Sequence, residues 1–204
     1  MLESRIKRMK RYCRYMFDWI FKEKIRGLDF TMRDLHLIKE TGGVFHGYSK
    51  TDEAHARMIF DTLGIDLNQK LLDVGCGKGA FLREAARQPF GKIAGIEIDK
   101  NLVRIAKKNF KILGLDKKVQ IINSDALEFN HYDAFNIFYF FNPFDKEVME
   151  QVADRIENSH MNQYYMILHN PTCAEVIETH GGKLINKLHD HVKSYETYIY
   201  KCGE

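Results

Sequence analysis

Hydrophobic positions along this chain switch repeatedly between two periods. Leu71 to Val74, Lys92 to Asp99, Val119 to Ile122, Ala134 to Phe141 and Gln163 to Leu168 are short, nearly continuous apolar runs rich in β-branched and aromatic residues. Runs of that kind predict strands buried on both faces, the pattern of a parallel sheet. Between them the apolar residues recur every three or four positions, which predicts helices. Asp52 to Leu63 places Ala54, Met58, Ile59 and Leu63 on one side, with Asp52 as N-cap. Ala80 to Gln88 is stopped by Pro89, Asn101 to Leu113 is capped by Asp99, and Asp145 to Ser159 and Pro171 to His180 follow. After Gly181-Gly182, Lys183 to Leu188 and Ser194 to Lys201 alternate with no helix between them, a closing antiparallel pair. The expected fold is α/β: a doubly wound, mostly parallel seven-stranded sheet with an antiparallel C-terminal hairpin.

The first 50 residues differ in character. Leu2, Ile6, Met9, Cys13, Met16, Phe17, Ile20 and Phe21 are spaced as one face of an amphipathic helix over residues 2–25, with Arg5, Lys7, Arg8, Lys10, Arg11 and Arg14 on the other face. Gly27 ends it, and Leu28 to Leu37 is expected to form a short second helix. Val44 to Thr51 mixes aromatic, hydroxyl and imidazole groups without a period and reads as a loop. Residues 1–26 hold nine Lys or Arg against three acids, and the rest of the chain 22 against 25, so the net charge of +3 originates at this end. Three roles fit the basic helix: packing on the domain, lying on a membrane surface, or meeting an acidic partner such as RNA. The reading divides the chain into a helical extension over 1–50 and an α/β domain over 51–204.

Composition narrows the class further. With 204 residues, 45% of them hydrophobic, the chain can bury one sizeable core. It contains no apolar run long enough to span a bilayer. Its four cysteines, at 13, 76, 173 and 202, lack metal-site spacing. A cytoplasmic protein without disulfides is expected. Among nine histidines the only close pair is His189-x-His191, and without third and fourth ligands it predicts no metal. His36, His55 and His160 read as surface or helix-face residues. His169, at a strand end, reads as structural or as pocket-lining.

Chemistry concentrates where the first strand ends, in Lys70 to Phe81, KLLDVGCGKGAF. Gly75, Gly77 and Gly79 at alternate positions suit a chain that turns sharply from strand into helix and lets a ligand touch its backbone. Gly75 to Ala80 also satisfies the dinucleotide pattern G-x-G-x-x-G/A, so the glycines alone leave a nicotinamide or flavin open. The acids Glu97 and Asp99 at the end of the second strand, about 20 residues on, suit ribose hydroxyls in either case.

With Asp73 two residues ahead of the first glycine, the run DVGCGKG closely resembles the first motif of class I S-adenosylmethionine-dependent methyltransferases, a Rossmann-like family. The resemblance extends over most of residues 44–204, including GIEIDK at 95–100 and the terminal hairpin. It implies S-adenosylmethionine as cofactor, with Asp73, Gly75, Cys76, Gly77 and Gly79 around its methionine end. Glu97 is implied at the ribose with Ile98 beside it, Asp125 and Ala126 at the adenine, and Tyr48, with His46 second, folding over from the preceding loop. Asn142-Pro143-Phe144 resembles a form, shorter by one proline, of the N-P-P-F/Y motif of amino-group methyltransferases. There Asn142 and a proline-constrained carbonyl would accept hydrogen bonds from the target amine while Phe144 packs on it, so Asn142 borders both cofactor and acceptor.

The expected activity is methyl transfer to an amine on a protein side chain or small molecule, with RNA or another nucleic acid as the alternative acceptor. An NAD-linked oxidoreductase and an inactive cofactor-binding scaffold are the rivals. The first lacks a convincing catalytic Lys, Tyr or His arrangement, and the second is disfavoured by three intact motifs.

Overall fold

The structure, a computed structural model, describes residues 16–31, 50–160, 162–192 and 194–203. Seven strands form one sheet in the order β3-β2-β1-β4-β5-β7-β6. They are β1 (Lys70–Val74), β2 (Lys92–Glu97), β3 (Val119–Asn123), β4 (Ile137–Phe141), β5 (Tyr164–His169), β6 (Lys183–Asp190) and β7 (Tyr195–Cys202). β3, β2, β1, β4 and β5 run parallel, and β7 enters antiparallel between β5 and β6. This is the α/β arrangement with a C-terminal hairpin that the periodicity predicts.

The side-chain alternation of the central strands sorts the core into two layers. Leu72, Val74, Phe138 and Phe140 pack against α4 (Lys146–Ser159) and α5 (Ala174–Thr179) through Val152, Ile156, Val176 and Ile177. On the other face, Leu71, Ile137 and Tyr139 meet α1 (Glu53–Leu63), α2 (Ala80–Ala85) and α3 (Lys100–Ile112) through Ile59, Phe60, Phe81, Leu82 and Phe110. The caps act as predicted: Asp52 accepts from the Ala54 N–H, and Asp99 from those of Asn101 and Leu102.

Several boundaries shift for identifiable reasons. α2 stops at Ala85, three residues before the expected Gln88, in a turn closed by Arg87 N–H to Glu84 and Gln88 N–H to Ala85. Tyr132–Ala134 form a 3-10 turn whose tyrosine hydroxyl donates to the Ala126 carbonyl, so β4 begins at Ile137 and not at Ala134. Asn170 adopts φ 55°, which bends the chain away from helix and delays α5 from Pro171 to Ala174.

Residues 16–31 form a strap on the α2–α3 side. A helical segment ends in a π-helix (Asp18–Glu23) and a 3-10 turn (Lys24–Arg26), stopped by Gly27 at φ 72° as expected. Leu28 to Thr31 are not helical, which corrects that part of the second predicted helix; residues 32–37 of it lie outside the described residues. The local cause is Glu23, which is buried and whose carboxylate accepts the N–H groups of Phe30 and Thr31 at 2.8 Å and the Thr31 hydroxyl. Leu28 and Phe30 cluster with Ala80. Asp29 exchanges two hydrogen bonds with Asn109, and both its carboxylate oxygens lie 2.9 Å from the buried Lys78 ammonium. No helix among the described residues is long and apolar enough to cross a membrane.

Candidate functional site

Strand order reverses between β1, which pairs with β2 on one side, and β4 on the other. Ligands bind at such a switch point, outside the carboxyl ends of the strands. A cavity of about 640 Å³ opens there. That volume suits a small-molecule site.

The glycine turn forms one wall. Gly75, Gly77 and Gly79 have φ of 79°, 54° and 84°, the left-handed region that only glycine enters without strain. The Gly75 and Cys76 N–H groups both donate to the Ile96 carbonyl at 3.0 Å, hooking the turn onto β2. A Cβ on Gly75 would stand 3.0 Å from Pro143, so the turn and the chain leaving β4 meet at the switch point. Gly79 does a different job from the one expected. It is not in the cavity wall, and a Cβ there would lie 2.5 Å from the Phe110 ring, so it allows α2 to sit close on α3.

Glu97 binds the turn together. One of its carboxylate oxygens accepts the Gly77 N–H at 2.9 Å and the other the Asp99 N–H at 3.0 Å. Each oxygen keeps a further acceptor site. Burial raises the Glu97 pKa, against the effect of those two N–H groups. Burial, and then the Glu97 charge, push Asp73 well above the usual carboxylate range. The same burial, with Asp73 and Glu97 adding to it, keeps Cys76 a thiol, which excludes it as a thiolate nucleophile.

Eleven of the thirteen predicted site residues line this one cavity: Asp73, Gly75, Cys76, Gly77, Glu97, Ile98, Asp125, Ala126, Asn142, Pro143 and Phe144. Gly79 is outside it, and Tyr48, like His46, lies outside the described residues. Asp125 closes its turn by accepting the Leu127 N–H at 2.8 Å. Asn142 has φ 42° and precedes a proline, although residues before proline favour extended backbone. The Thr172 hydroxyl donates to its side-chain oxygen. Asn170, also before a proline and at φ 55°, lines the cavity beside it. Left-handed backbone at a non-glycine residue costs about 1–3 kcal/mol and gathers at ligand sites.

The cavity also has walls that the sequence reading missed: Lys50, Thr51, Phe81, Tyr139, Phe141 and Tyr195. Thr51 and Tyr139 share a 2.7 Å hydrogen bond, and the Tyr139 ring stacks on Phe81 at 3.6 Å. The one available signal was the second Asn-Pro pair, which marks β5 as a strand end like β4. His55, expected on a helix face, is buried: its Nε2 lies 2.6 Å from the Thr197 hydroxyl, which also meets His169 Nδ1 at 2.7 Å. Burial lowers the His55 pKa, with Asp190 and Asp52 opposing. His169 is a buried structural residue behind Phe141 and not part of the wall. Among the described residues, only Asp154, Glu157 and His180 gather metal-type ligand atoms, and a 3.0 Å contact between His180 and Asp154 accounts for that surface trio.

The sequence profile of the mycolic acid cyclopropane synthetase family matches residues 48–204, the whole sheet and the cavity with it. The chain belongs to this family of S-adenosylmethionine-dependent methyltransferases. It is 32% identical over 84 residues to cycloartenol-C-24-methyltransferase of Arabidopsis thaliana, a match covering 39% of this chain and 25% of that protein. It is 35% identical over 114 residues to ribosomal RNA small subunit methyltransferase A of Mesomycoplasma hyopneumoniae, covering 45% and 42%. The chain thus spans less than half the length of either relative. An RNA methyltransferase structure from Salinibacter ruber, in complex with S-adenosyl-L-homocysteine, superposes with TM-score 0.62 at 18% identity, over 76% of this chain and 95% of that one.

S-adenosylmethionine is the family's cofactor, and the cavity suits it on chemical grounds. Two buried acids, Asp73 and Glu97, share this wall, and the Glu97 charge adds to the burial that disfavours the Asp73 carboxylate. Lys50, the cation on the wall, is within 3.7–3.9 Å of Glu23 and Glu53. A ligand with a cationic amino-acid end and a diol relieves that imbalance, whereas the pyrophosphate of a dinucleotide would add to it.

Proposed function

We propose that this protein transfers a methyl group from S-adenosylmethionine to an amine nitrogen on a protein side chain or small molecule. The observation that carries the acceptor class is Asn142, held in left-handed backbone at the end of the central strand with its amide fixed by Thr172. An amide oxygen has two acceptor sites, so one remains for an N–H of the acceptor. Held by that bond, the nitrogen presents its lone pair instead of its hydrogens. Pro143, packed on Gly75, keeps Asn142 beside the cofactor turn, and Phe144 and Phe141 supply aromatic walls for the acceptor's apolar part.

Asp73 would hold the cofactor's ammonium, Glu97 the ribose hydroxyls, and Asp125 with Ala126 the adenine. When bound, S-adenosylmethionine supplies a sulfonium-activated methyl carbon. The chain's own task is alignment and exclusion of water, which can contribute up to about 7–11 kcal/mol through proximity. A neutral amine needs no base before attack, and its surplus proton leaves to water afterwards. Burial keeps the Tyr139 hydroxyl protonated in its hydrogen bond with Thr51, so it shapes the wall without taking that proton.

An exocyclic amine of RNA is the second reading, favoured by the similarity to ribosomal RNA small subunit methyltransferase A. The test is transfer of labelled methyl to a panel of polyamines, amino sugars, cell-extract proteins, ribosomal RNA and sterols. Labelling of an amine, lost in Asn142→Ala while S-adenosylhomocysteine still binds, supports the proposal. Labelling of sterols alone, or full turnover by Asn142→Ala, overturns the amine acceptor.

A further inference from the structure

The strap buries one side and leaves another bare. Glu23, Leu28 and Phe30 are enclosed, whereas Phe17, Phe21 and Ile25 are 57%, 55% and 71% exposed. They recur every fourth residue, the Phe17 and Phe21 rings 4.6 Å apart, and make an apolar ridge along the strap. Three adjoining large apolar side chains at more than half exposure need a partner. Charge states which one. Lys24 and Arg26 are exposed next to the ridge, and Lys24 lies over the Trp19 ring at 4.8 Å. The sequence directly upstream adds Arg5, Lys7, Arg8, Lys10, Arg11 and Arg14 against one acid, Glu3. Of the other two acids in residues 1–26, Glu23 is consumed inside the strap.

We infer that the strap is a docking surface for an anionic lipid membrane. An apolar ridge inserts at the boundary between headgroups and acyl chains while flanking lysines and arginines meet anionic headgroups, and an aromatic beside a cation suits that boundary. RNA fits less well: Phe17 and Phe21 could stack on bases, but Ile25, the most exposed of the three, has no face for one. A protein partner would want a groove on its own side and gives no reason for the run of cations. The attachment proposed is peripheral, with the ridge lying at the headgroup boundary. The Asp29 contacts with Lys78 and Asn109 and the Glu23–Lys50 ion pair keep the strap on the domain while its ridge faces outward.

Trp19 is the only tryptophan, so the intact chain reports on its own docking. Flotation and tryptophan emission are measured with vesicles of phosphatidylcholine alone and of phosphatidylcholine with phosphatidylglycerol. The expected result is co-flotation and a blue shift with the anionic vesicles only, both weakened by salt. The triple variant Phe17→Ser, Phe21→Ser, Ile25→Ser should keep the wild-type urea midpoint, since all three side chains are exposed, and lose about 100-fold in partitioning. Absence of a blue shift in the wild type with anionic vesicles overturns the proposal, as does flotation unchanged in the triple variant. So does tighter binding of a single-stranded RNA oligonucleotide through the same side chains, or a dimer that the triple variant dissolves.

Discussion

Replacing Glu97 by glutamine separates two duties that one side chain carries. Its two carboxylate oxygens each accept a backbone N–H, from Gly77 and from Asp99. Glutamine has the same shape but only one acceptor oxygen, so its NH₂ must face one of those donors. Leaving a buried donor unmet costs about 1–3 kcal/mol. Part is returned, because burial disfavours the charged Glu97 and the amide carries no charge. A net loss of ~1–2 kcal/mol in urea unfolding is expected. The second duty, the proposed one, is at the cofactor diol. Replacing hydrogen bonds to a carboxylate by one neutral acceptor should weaken S-adenosylhomocysteine by about 10- to 150-fold in calorimetric titration, from the ~1.5–3 kcal/mol such bonds contribute. Reduced stability with unchanged affinity would leave Glu97 as a clamp for the glycine turn and refute its place at the ribose. Neither effect would refute the geometry as well.

Gly79→Ala should cost about 2–5 kcal/mol in urea unfolding, from left-handed backbone plus a Cβ 2.5 Å from the Phe110 ring; an unchanged midpoint refutes the packing role. The Asp73 pKa is raised in the folded state, so stability should rise as pH falls through that value and level off below the unfolded value near 3.8. Asp73→Asn should flatten this profile, seen in unfolding midpoints across pH. In the wild type, S-adenosylhomocysteine should bind less tightly over the same interval if Asp73 holds its ammonium as proposed, because that carboxylate is then neutralised. Thr197→Val should cost about 1–3 kcal/mol by leaving His55 Nε2 without the hydroxyl it meets at 2.6 Å, measured by thermal unfolding. Thr172→Ala, which frees the Asn142 amide to rotate, should lower methyl transfer severalfold while calorimetry shows unchanged cofactor affinity.

Features set by short stretches of chain were legible in the sequence. Apolar runs fixed the strands, the spacing of three and four the helices, and Asp52 and Asp99 their caps. The glycine turn and Glu97 were readable because close backbone approach to a ligand restricts residue type within a few positions. What escaped depends on contacts distant in sequence. His55 sits near Asp52, Glu53 and Arg57 at the start of α1, and Thr197 on the last strand, with His169 on β5, makes it a core residue. Tyr139 looked like one more apolar residue of β4, and its place in the cavity depends on Thr51 and Phe81. Pro171 carried a helix-start signal that the left-handed turn at Asn170 overrode. The glycines were assigned to the ligand as a group, yet the Phe110 ring, 31 residues on, gives Gly79 a packing role.

The charged residues of the strap show why a count of basic residues misleads until burial is known. Lys78, inside the glycine turn, is turned away from the ligand side and spent on Asp29; Lys50, on the cavity wall, is close to Glu23. Both ion pairs join the strap to the cavity wall, one through the turn and the other through the segment leading into α1. Removing two charges from water is costly, and a pair holds only when its geometry and further hydrogen bonds compensate. Thr31 donates such a bond to the Glu23 carboxylate, while Asn109 holds the Asp29 backbone and so places its carboxylate on Lys78. The inward acids are therefore structural, whereas Lys24 and Arg26 remain exposed beside the apolar ridge. The Asp29–Lys78 pair thus ties the strap that carries the apolar ridge to the glycine turn, and the Lys50–Glu23 pair ties it to the segment ahead of α1.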